Sequence, residues 1–361
     1  MTAKSLKILF AGGGTGGHLF SGIALAEEMR EQDPKSQALF VGTPWGLEKN
    51  IVPQSGFPLE FIQASPLKGS SNVARVKSLL RLPKAYFQSK KILKRFQPDC
   101  VIGIGGYASG PMVLAAHFSK IPTTIIEQNS IPGFTNRRLA RFIDKVFLTF
   151  ENAKPYFDAK KTVLSGNPTR KLSPPEQVSK VSGRFCVFIM GGSQGAHALN
   201  QAMVEALPAL QEVKDEFHFI HQSGQQDYEG VQKAYSDKNF SAEVFPFSSE
   251  IGKYYAQADF MICRAGAGTI TELQNKGMAS LLVPYPFAAD DHQLYNAKEM
   301  VESGAADLVL NQDLNGEKLA EYILTTKKNP ARLALMRANA LKLSRPQAAK
   351  VILRECSKLI I

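Results

Sequence analysis

The sequence predicts an α/β protein made of two similar doubly wound domains, each a parallel sheet covered by helices, with the two sheets facing each other across a cleft. Three observations carry this. The chain has 361 residues, more than one hydrophobic core of ordinary size accommodates. Short continuous apolar runs alternate with amphipathic stretches throughout, as expected of parallel strands buried on both faces. One plan also occurs twice: an apolar run, a glycine loop and a helical stretch, first from Leu6 to Gln32 and again from Phe185 to Leu210.

In the first half, Leu6–Ala11 reads as a strand and Gly12-Gly13-Gly14-Thr15-Gly16-Gly17-His18 as a loop, followed by a helix over Ile23–Gln32. Further buried strands are expected at Ala38–Val41, Cys100–Ile104, Thr123–Ile126 and Lys145–Leu148. The second half restarts with the strand Phe185–Met190, the loop Gly191-Gly192-Ser193-Gln194-Gly195-Ala196 and a helix over Leu199–Leu210. Strands at His218–His221, Ala242–Phe245, Phe260–Cys263 and Ser280–Val283 follow. Asn167-Pro168 and Pro174-Pro175 break regular structure between the copies. The expected division is a Rossmann-like domain over 1–166, a linker over 167–183, a second such domain over 184–340 and a terminal segment over 341–361.

Composition bounds the function. Hydrophobic residues make up 44% and charged residues 21%, values of a globular chain rather than a disordered one. The net charge of +11 is unevenly spread: residues 1–170 carry 23 Lys and Arg against 11 Asp and Glu, residues 171–361 carry 20 against 21. Such asymmetry points the first half toward a polyanion or an anionic membrane. Four scattered cysteines form neither a zinc pattern nor a disulfide framework and fit a reduced, intracellular protein. The apolar run near the N-terminus is too short for a signal peptide, and no stretch offers the ~20 apolar residues of a membrane span. Any membrane contact is therefore expected to be peripheral.

Between Phe61 and Pro98 there is no acidic residue, while nine cations from Lys68 to Arg95 accompany apolar residues such as Leu79, Leu80, Phe87 and Leu93. This segment reads either as a membrane-surface element or as a basic helix whose apolar face packs in the core. Nucleic acid is not expected as a partner, since no helix-turn-helix, zinc finger or aromatic stacking platform is present.

Gly12, Gly14 and Gly17 satisfy G-x-G-x-x-G after a strand, so a nicotinamide-dependent oxidoreductase has to be weighed. That reading needs an acidic residue at the end of the second strand to hold a ribose, and here Ala38–Val41 ends in Gly42-Thr43. What remains is a loop whose exposed backbone amides and following helix N-terminus suit a phosphate, or one that merely permits a tight turn. Two further glycine loops after strands, Gly105-Gly106-Tyr107-Ala108-Ser109-Gly110-Pro111 and Gly191–Ala196, favour an anionic ligand.

These loops, with Cys263-Arg264-Ala265-Gly266-Ala267-Gly268-Thr269-Ile270-Thr271-Glu272, resemble the MurG family in order and spacing over nearly the whole chain. Glu127-Gln128-Asn129, Gly166-Asn167-Pro168-Thr169-Arg170 and Asp290–Ala297 add to the resemblance. It implies a GT-B glycosyltransferase with the acceptor bound mainly by the first domain and the UDP-sugar mainly by the second. Residues Ala338–Ile361 would form a helix returning to the first domain. The implied reaction transfers N-acetylglucosamine from UDP-N-acetylglucosamine to the C4 hydroxyl of MurNAc-pentapeptide on undecaprenyl diphosphate, with inversion, in peptidoglycan synthesis. The place implied is the cytoplasmic face of the inner membrane, on anionic lipids. No cofactor or metal is implied, and no D-x-D motif is present.

The resemblance also assigns roles. Glu272 would accept hydrogen bonds from the uridine ribose. Ser193 and neighbouring backbone amides would bind the diphosphate, where Arg170 would add positive charge, and Thr15, Gly16, Gly17 and Gln194 would also contact substrate. Asn129, His292 and Gln293 would contact the donor sugar or diphosphate, and Ser248 and Ile251 lie where backbone would meet uracil. Gly14, Gly106, Tyr107, Ser109, Gly191 and Gly192 would form acceptor or phosphate loops. His18 is the candidate general base, since an imidazole can accept a hydroxyl proton near neutral pH; alternatively it hydrogen-bonds phosphate or caps its helix. Two positions depart from the family pattern: Ser21, where a proline is usual, and His197, where arginine is common. Another GT-B glycolipid transferase and a non-catalytic UDP-sugar-binding protein are the competing readings.

Overall fold

The structure, a computed structural model, describes residues 5–14, 16–64, 72–170, 183–192, 194–248 and 250–360, with backbone only for 72–80. The chain forms two compact units, Met1–Arg170 with Arg345–Ile361, and Lys171–Ser344.

Unit 1 runs β1 (Lys7–Gly12), α1 (Gly16–Gln32), β2 (Gln37–Gly42), α2 (Glu48–Gln54), β3 (Leu59–Phe61), α3 (Asn72–Phe96), β4 (Cys100–Gly105), α4 (Ser109–Phe118), β5 (Thr123–Glu127), α5 (Phe134–Leu139), β6 (Lys145–Leu148) and β7 (Thr162–Leu164). Its strands form one parallel sheet in the order β3-β2-β1-β4-β5-β6-β7. Alternation along each strand divides the core into two layers. Ile8, Phe10, Phe40, Ile102 and Phe147 face α1, whereas Leu9, Val41, Val101, Ile125 and Val146 face α3 and α4.

Unit 2 runs β8 (Phe185–Met190), α6 (His197–Ala206), β9 (Phe217–Gln222), α7 (Tyr228–Asp237), β10 (Ala242–Phe245), α8 (Ile251–Gln257), β11 (Phe260–Cys263), α9 (Ala267–Lys276), β12 (Ser280–Leu282), α10 (His292–Glu302), β13 (Ala306–Leu308), α11 (Gly316–Lys327) and α12 (Pro330–Lys342). Its parallel sheet has the order β10-β9-β8-β11-β12-β13. Both units are thus Rossmann-like, and each of the ten predicted strands is present.

Three strands escape the sequence reading. β3, β7 and β13 are three residues each and lie at sheet edges, paired on one side only, so they are too short for a periodic signal. The predicted helix over Leu199–Leu210 ends at Ala206, and Pro208 opens a 3-10 segment, Leu207–Glu216.

The expected single helix over Ala338–Ile361 is also corrected. The chain breaks after Lys342, at a turn containing Pro346, and a new helix, α13 (Ala348–Ile360), begins. α13 buries Ala348, Ile352, Leu353 and Cys356 on unit 1, where the last three join the α1 core layer. Glu355 of α13 pairs with Lys145 of β6 and with Lys358; these bonds hold its carboxyl down at about 2.

In the second half of α3, Ala85, Ser89, Ile92 and Leu93 form a buried stripe at helical spacing, while Lys84, Lys90, Lys91, Lys94 and Phe87 are exposed. This half packs in the core and presents a basic outer face. The membrane reading for the cations and apolar residues between 65 and 80 falls on side chains outside the described residues. Among the described residues no helix is long and apolar enough to cross a membrane.

Candidate active site

In unit 1, β1 lies between β2 and β4, so the chain winds outward in both directions from that pair. Ligands of such sheets bind beyond the carboxyl ends of the strands at this switch point, where the first two glycine loops sit. The two loops touch through backbone. Gly13 N–H donates to the Gly105 carbonyl at 3.1 Å, and a Cβ on Gly12 would stand 2.0 Å from that oxygen. A Cβ on Gly106 would stand 2.3 Å from the Gly13 carbonyl oxygen. The glycines are therefore required by close approach between the loops. The His18 imidazole packs against Gly105, where a Cβ would lie 2.9 Å from its Cδ2.

Gly14 does not offer its amide to a phosphate as expected. Its N–H donates to Glu48 Oε2 at 2.8 Å, and Glu48 Oε1 accepts from Thr43 N at 2.8 Å and Thr43 Oγ1 at 2.9 Å. With the Gly13 and Gly14 amides engaged, the first turn of α1 at Gly16, Gly17 and His18 is what this loop presents to a ligand. Thr15 lies outside the described residues.

On the second loop, Tyr107 is exposed and Gly106 adopts a positive φ. Ser109 is fully buried, with its hydroxyl 2.6 Å from where a Gly103 Cβ would be. Its side chain is turned into the sheet, which leaves only the N-terminus of α4 to face a ligand.

Asn129 follows β5 and is held by its own backbone, which donates to Glu127 Oε1 at 3.0 Å. Glu127 also accepts from Gly133 N at 3.0 Å and Asn136 Nδ2 at 2.9 Å; burial nevertheless raises its carboxyl above the usual range. Arg170 places its guanidinium over Phe20 of α1, 5.5 Å from the ring centre. Ser21 puts its hydroxyl 2.7 Å from Asn167 Oδ1 and 3.0 Å from the Gly17 carbonyl, so this departure from the family pattern ties α1 to the segment leading to Arg170.

Unit 2 repeats the arrangement, with β8 between β9 and β11. The Gly191–Ala196 loop packs on the turn after β9: a Cβ on Gly195 would stand 2.0 Å from Ser223 O, and one on Gly224 would stand 2.3 Å from Gln194 O. Gly191 and Gly192 are half-buried and Gln194 is exposed, while Ser193 lies outside the described residues. His197, at the start of α6, places Nδ1 3.0 Å from Asp227 Oδ1. Asp227 in turn accepts from Asn200 Nδ2 at 2.7 Å.

After β10, Ser248 Oγ accepts from Glu250 N at 3.1 Å. Ile251 is buried, so only its backbone at the start of α8 can reach a ligand. After β11, Glu272 sits in the second turn of α9, 9% exposed, and accepts from the Tyr255 hydroxyl at 2.9 Å through Oε2. Beside it Cys263 is pushed up to about 12 by burial and then by the Glu272 carboxylate, which keeps this thiol neutral.

After β12, Arg264 Nη1 donates to Val283 O at 3.0 Å and Pro284 O at 3.1 Å, and Gln293 Oε1 accepts from Tyr285 N at 2.9 Å. His292 places Nδ1 2.8 Å from the Ala289 carbonyl, which leaves Nε2 for a ligand. Asp290 and Asp291 both adopt positive φ here, an uncommon backbone state for non-glycine residues.

The predicted residues thus gather on the carboxyl edges of the two sheets: Gly16, Gly17, His18, Asn129 and Arg170 in unit 1, and Gln194, Ser248, Ile251, Glu272, His292 and Gln293 in unit 2. Sequence reasoning missed Glu48, Tyr255 and the anchoring role of Arg264. Gly42, Gly46 and Glu48 stand close together in the chain, but nothing in that spacing shows that the carboxylate reaches the first glycine loop.

Comparison with known proteins identifies the family. The glycosyltransferase family 28 N-terminal domain matches residues 8–148, and the family 28 C-terminal domain matches residues 186–352. The UDP-N-acetylglucosamine–N-acetylmuramyl-(pentapeptide) pyrophosphoryl-undecaprenol N-acetylglucosamine transferase of Myxococcus xanthus is 48% identical over 99% of this chain and 94% of its own length. The transferase of the same name from Syntrophus aciditrophicus is 45% identical over 99% of each. The crystal structure of MurG from Acinetobacter baumannii is 33% identical, with a TM-score of 0.80 over 98% of this chain and 99% of that one. On these grounds the chain belongs to glycosyltransferase family 28, within the MurG family.

Proposed function

We infer that the protein transfers N-acetylglucosamine from UDP-N-acetylglucosamine to the C4 hydroxyl of MurNAc-pentapeptide on undecaprenyl diphosphate, with inversion, in peptidoglycan synthesis. The observation that carries this reading is the near-full-length identity with transferases of that name.

Donor binding is assigned to unit 2. Glu272, held through one oxygen by Tyr255, keeps its carboxylate at the carboxyl edge for the ribose hydroxyls. The N-terminus of α6 and the amides around Ser193, Gln194 and Gly192 take the diphosphate, whose negative charge grows as the glycosidic bond breaks. Backbone near Ser248 and Ile251 meets uracil, and His292 and Gln293 meet the sugar or diphosphate.

Acceptor binding is assigned to unit 1, whose touching glycine loops present the first turns of α1 and α4. His18 takes the proton of the attacking hydroxyl. The acceptor is lipid-linked, and the basic excess of the first half supports docking on anionic lipids at the cytoplasmic face of the inner membrane.

Thermal denaturation with UDP, UDP-N-acetylglucosamine and NADH tests the ligand class. At about 100 times its Kd a ligand adds about 2.7 kcal/mol, several degrees of Tm for a protein of this size. UDP and the sugar donor are expected to stabilise the protein and NADH to leave it unchanged. Stabilisation by NADH alone would return the first glycine loop to a redox cofactor.

A further inference from the structure

The Glu48 carboxylate is buried beneath the first glycine loop, 1% exposed, and accepts three hydrogen bonds. Space for it is made by three glycines: a Cβ on Gly13, Gly42 or Gly46 would lie 2.5, 2.4 or 2.0 Å from an atom of its side chain. The loop is thereby gripped from two directions, by Glu48 through Gly14 and by the second glycine loop through Gly12, Gly13 and Gly106. Gly14 is the last described residue before α1, and His18 is the third residue of that helix, resting on Gly105. A group that fixes Gly14 therefore fixes where α1 begins and where the imidazole stands.

We propose that Glu48 is a positioning residue for the transfer step: its carboxylate clamps Gly14 so that the first turn of α1 and His18 meet the acceptor in a fixed geometry. This rests on the acceptor-side reading of unit 1 given above. The clamp needs two acceptor oxygens, one toward Gly14 and one toward the two Thr43 donors. Glutamine supplies one such oxygen and would turn an NH2 donor toward a donor, either at Gly14 or at Thr43.

The test compares Glu48→Gln and Glu48→Asp. If Glu48 only filled space, the isosteric Gln would be the better replacement and Asp, one methylene shorter, the worse. If it clamps, Asp retains more turnover than Gln. Misplacement of about an ångström costs on the order of a hundredfold, so kcat in Glu48→Gln is expected to fall roughly 10- to 100-fold with donor KM within about twofold of wild type. Amide exchange in the segment around Gly14 is expected to quicken at least about tenfold in Glu48→Gln.

Wild-type kcat in folded Glu48→Gln, a ranking of Gln above Asp, or a rise in donor KM alone would overturn the proposal. Should neither variant fold, Thr43→Val removes one of the three donors while keeping the charge. It is expected to lower kcat about two- to fivefold, and unchanged kcat and exchange would count against the clamp. If the wild-type protein does not transfer the sugar, the functional reading fails, whereas the exchange arm still tests the clamp.

Discussion

One hydrogen bond, from Tyr255 to Glu272, bears on the proposed donor site. The Tyr255 hydroxyl occupies one carboxylate oxygen and orients the other, so Tyr255→Phe is expected to weaken UDP binding by about 1–2 kcal/mol, roughly 5- to 30-fold, with small effect on kcat at saturating donor. Isothermal titration with UDP checks it, and wild-type affinity would remove the positioning role. His18→Ala is expected to lower kcat by roughly 10²- to 10⁴-fold while UDP binding is retained. Normal turnover in that variant would leave His18 as a phosphate or capping contact. The positions of His18 on the helix after β1 and of Glu272 on the helix after β11 were legible in the sequence because each belongs to a compact motif. Tyr255 and Glu48 were not, since their partners lie 17 and 34 residues away and only the packed loops bring them into contact.

At the scale of elements, long buried strands were legible because continuous apolar runs survive on both faces of a parallel sheet. The edge strands β3, β7 and β13 were not, because half-paired segments of three residues carry no period. The break between α12 and α13 was signalled by Pro346, yet the helical pattern on either side reads as continuous.

α13 is held to unit 1 partly by Glu355, whose carboxyl is depressed from 4.5 to about 2 by its bonds to Lys145 and then Lys358. A depressed carboxyl stabilises the fold fully above its unfolded value and loses that contribution as pH falls through the folded one. Glu355→Gln is therefore expected to cost on the order of 1–3 kcal/mol at pH 7, with the difference from wild type shrinking between about pH 4.5 and 2 in urea titrations. A pH-independent difference would contradict it.

On α3, Lys90, Lys91 and Lys94 line an exposed basic face. Near an anionic surface each lysine is worth about 1 kcal/mol, so reversing all three to Glu is expected to weaken binding to phosphatidylglycerol vesicles by at least about a hundredfold. Unchanged vesicle binding would confine that face to solvent.

At the scale of the whole molecule, one fold plan is used twice with unequal charge. The first half holds the entire basic excess and the second is close to neutral. That division suits the proposed assignment of the lipid-linked acceptor to unit 1 and of the nucleotide sugar to unit 2. The duplication was legible because both copies keep the strand, glycine loop and helix in the same order. What each loop offers a ligand was not, because Glu48 alters the first loop in a way its glycines do not reveal.

The most direct measurement incubates the purified protein with UDP-N-acetylglucosamine and a short-chain lipid I analogue and determines the linkage of any disaccharide formed. A β-1,4-linked GlcNAc–MurNAc product released together with UDP is the expected result. No transfer to that acceptor from a folded, UDP-binding protein, or retention of the α configuration, would contradict it.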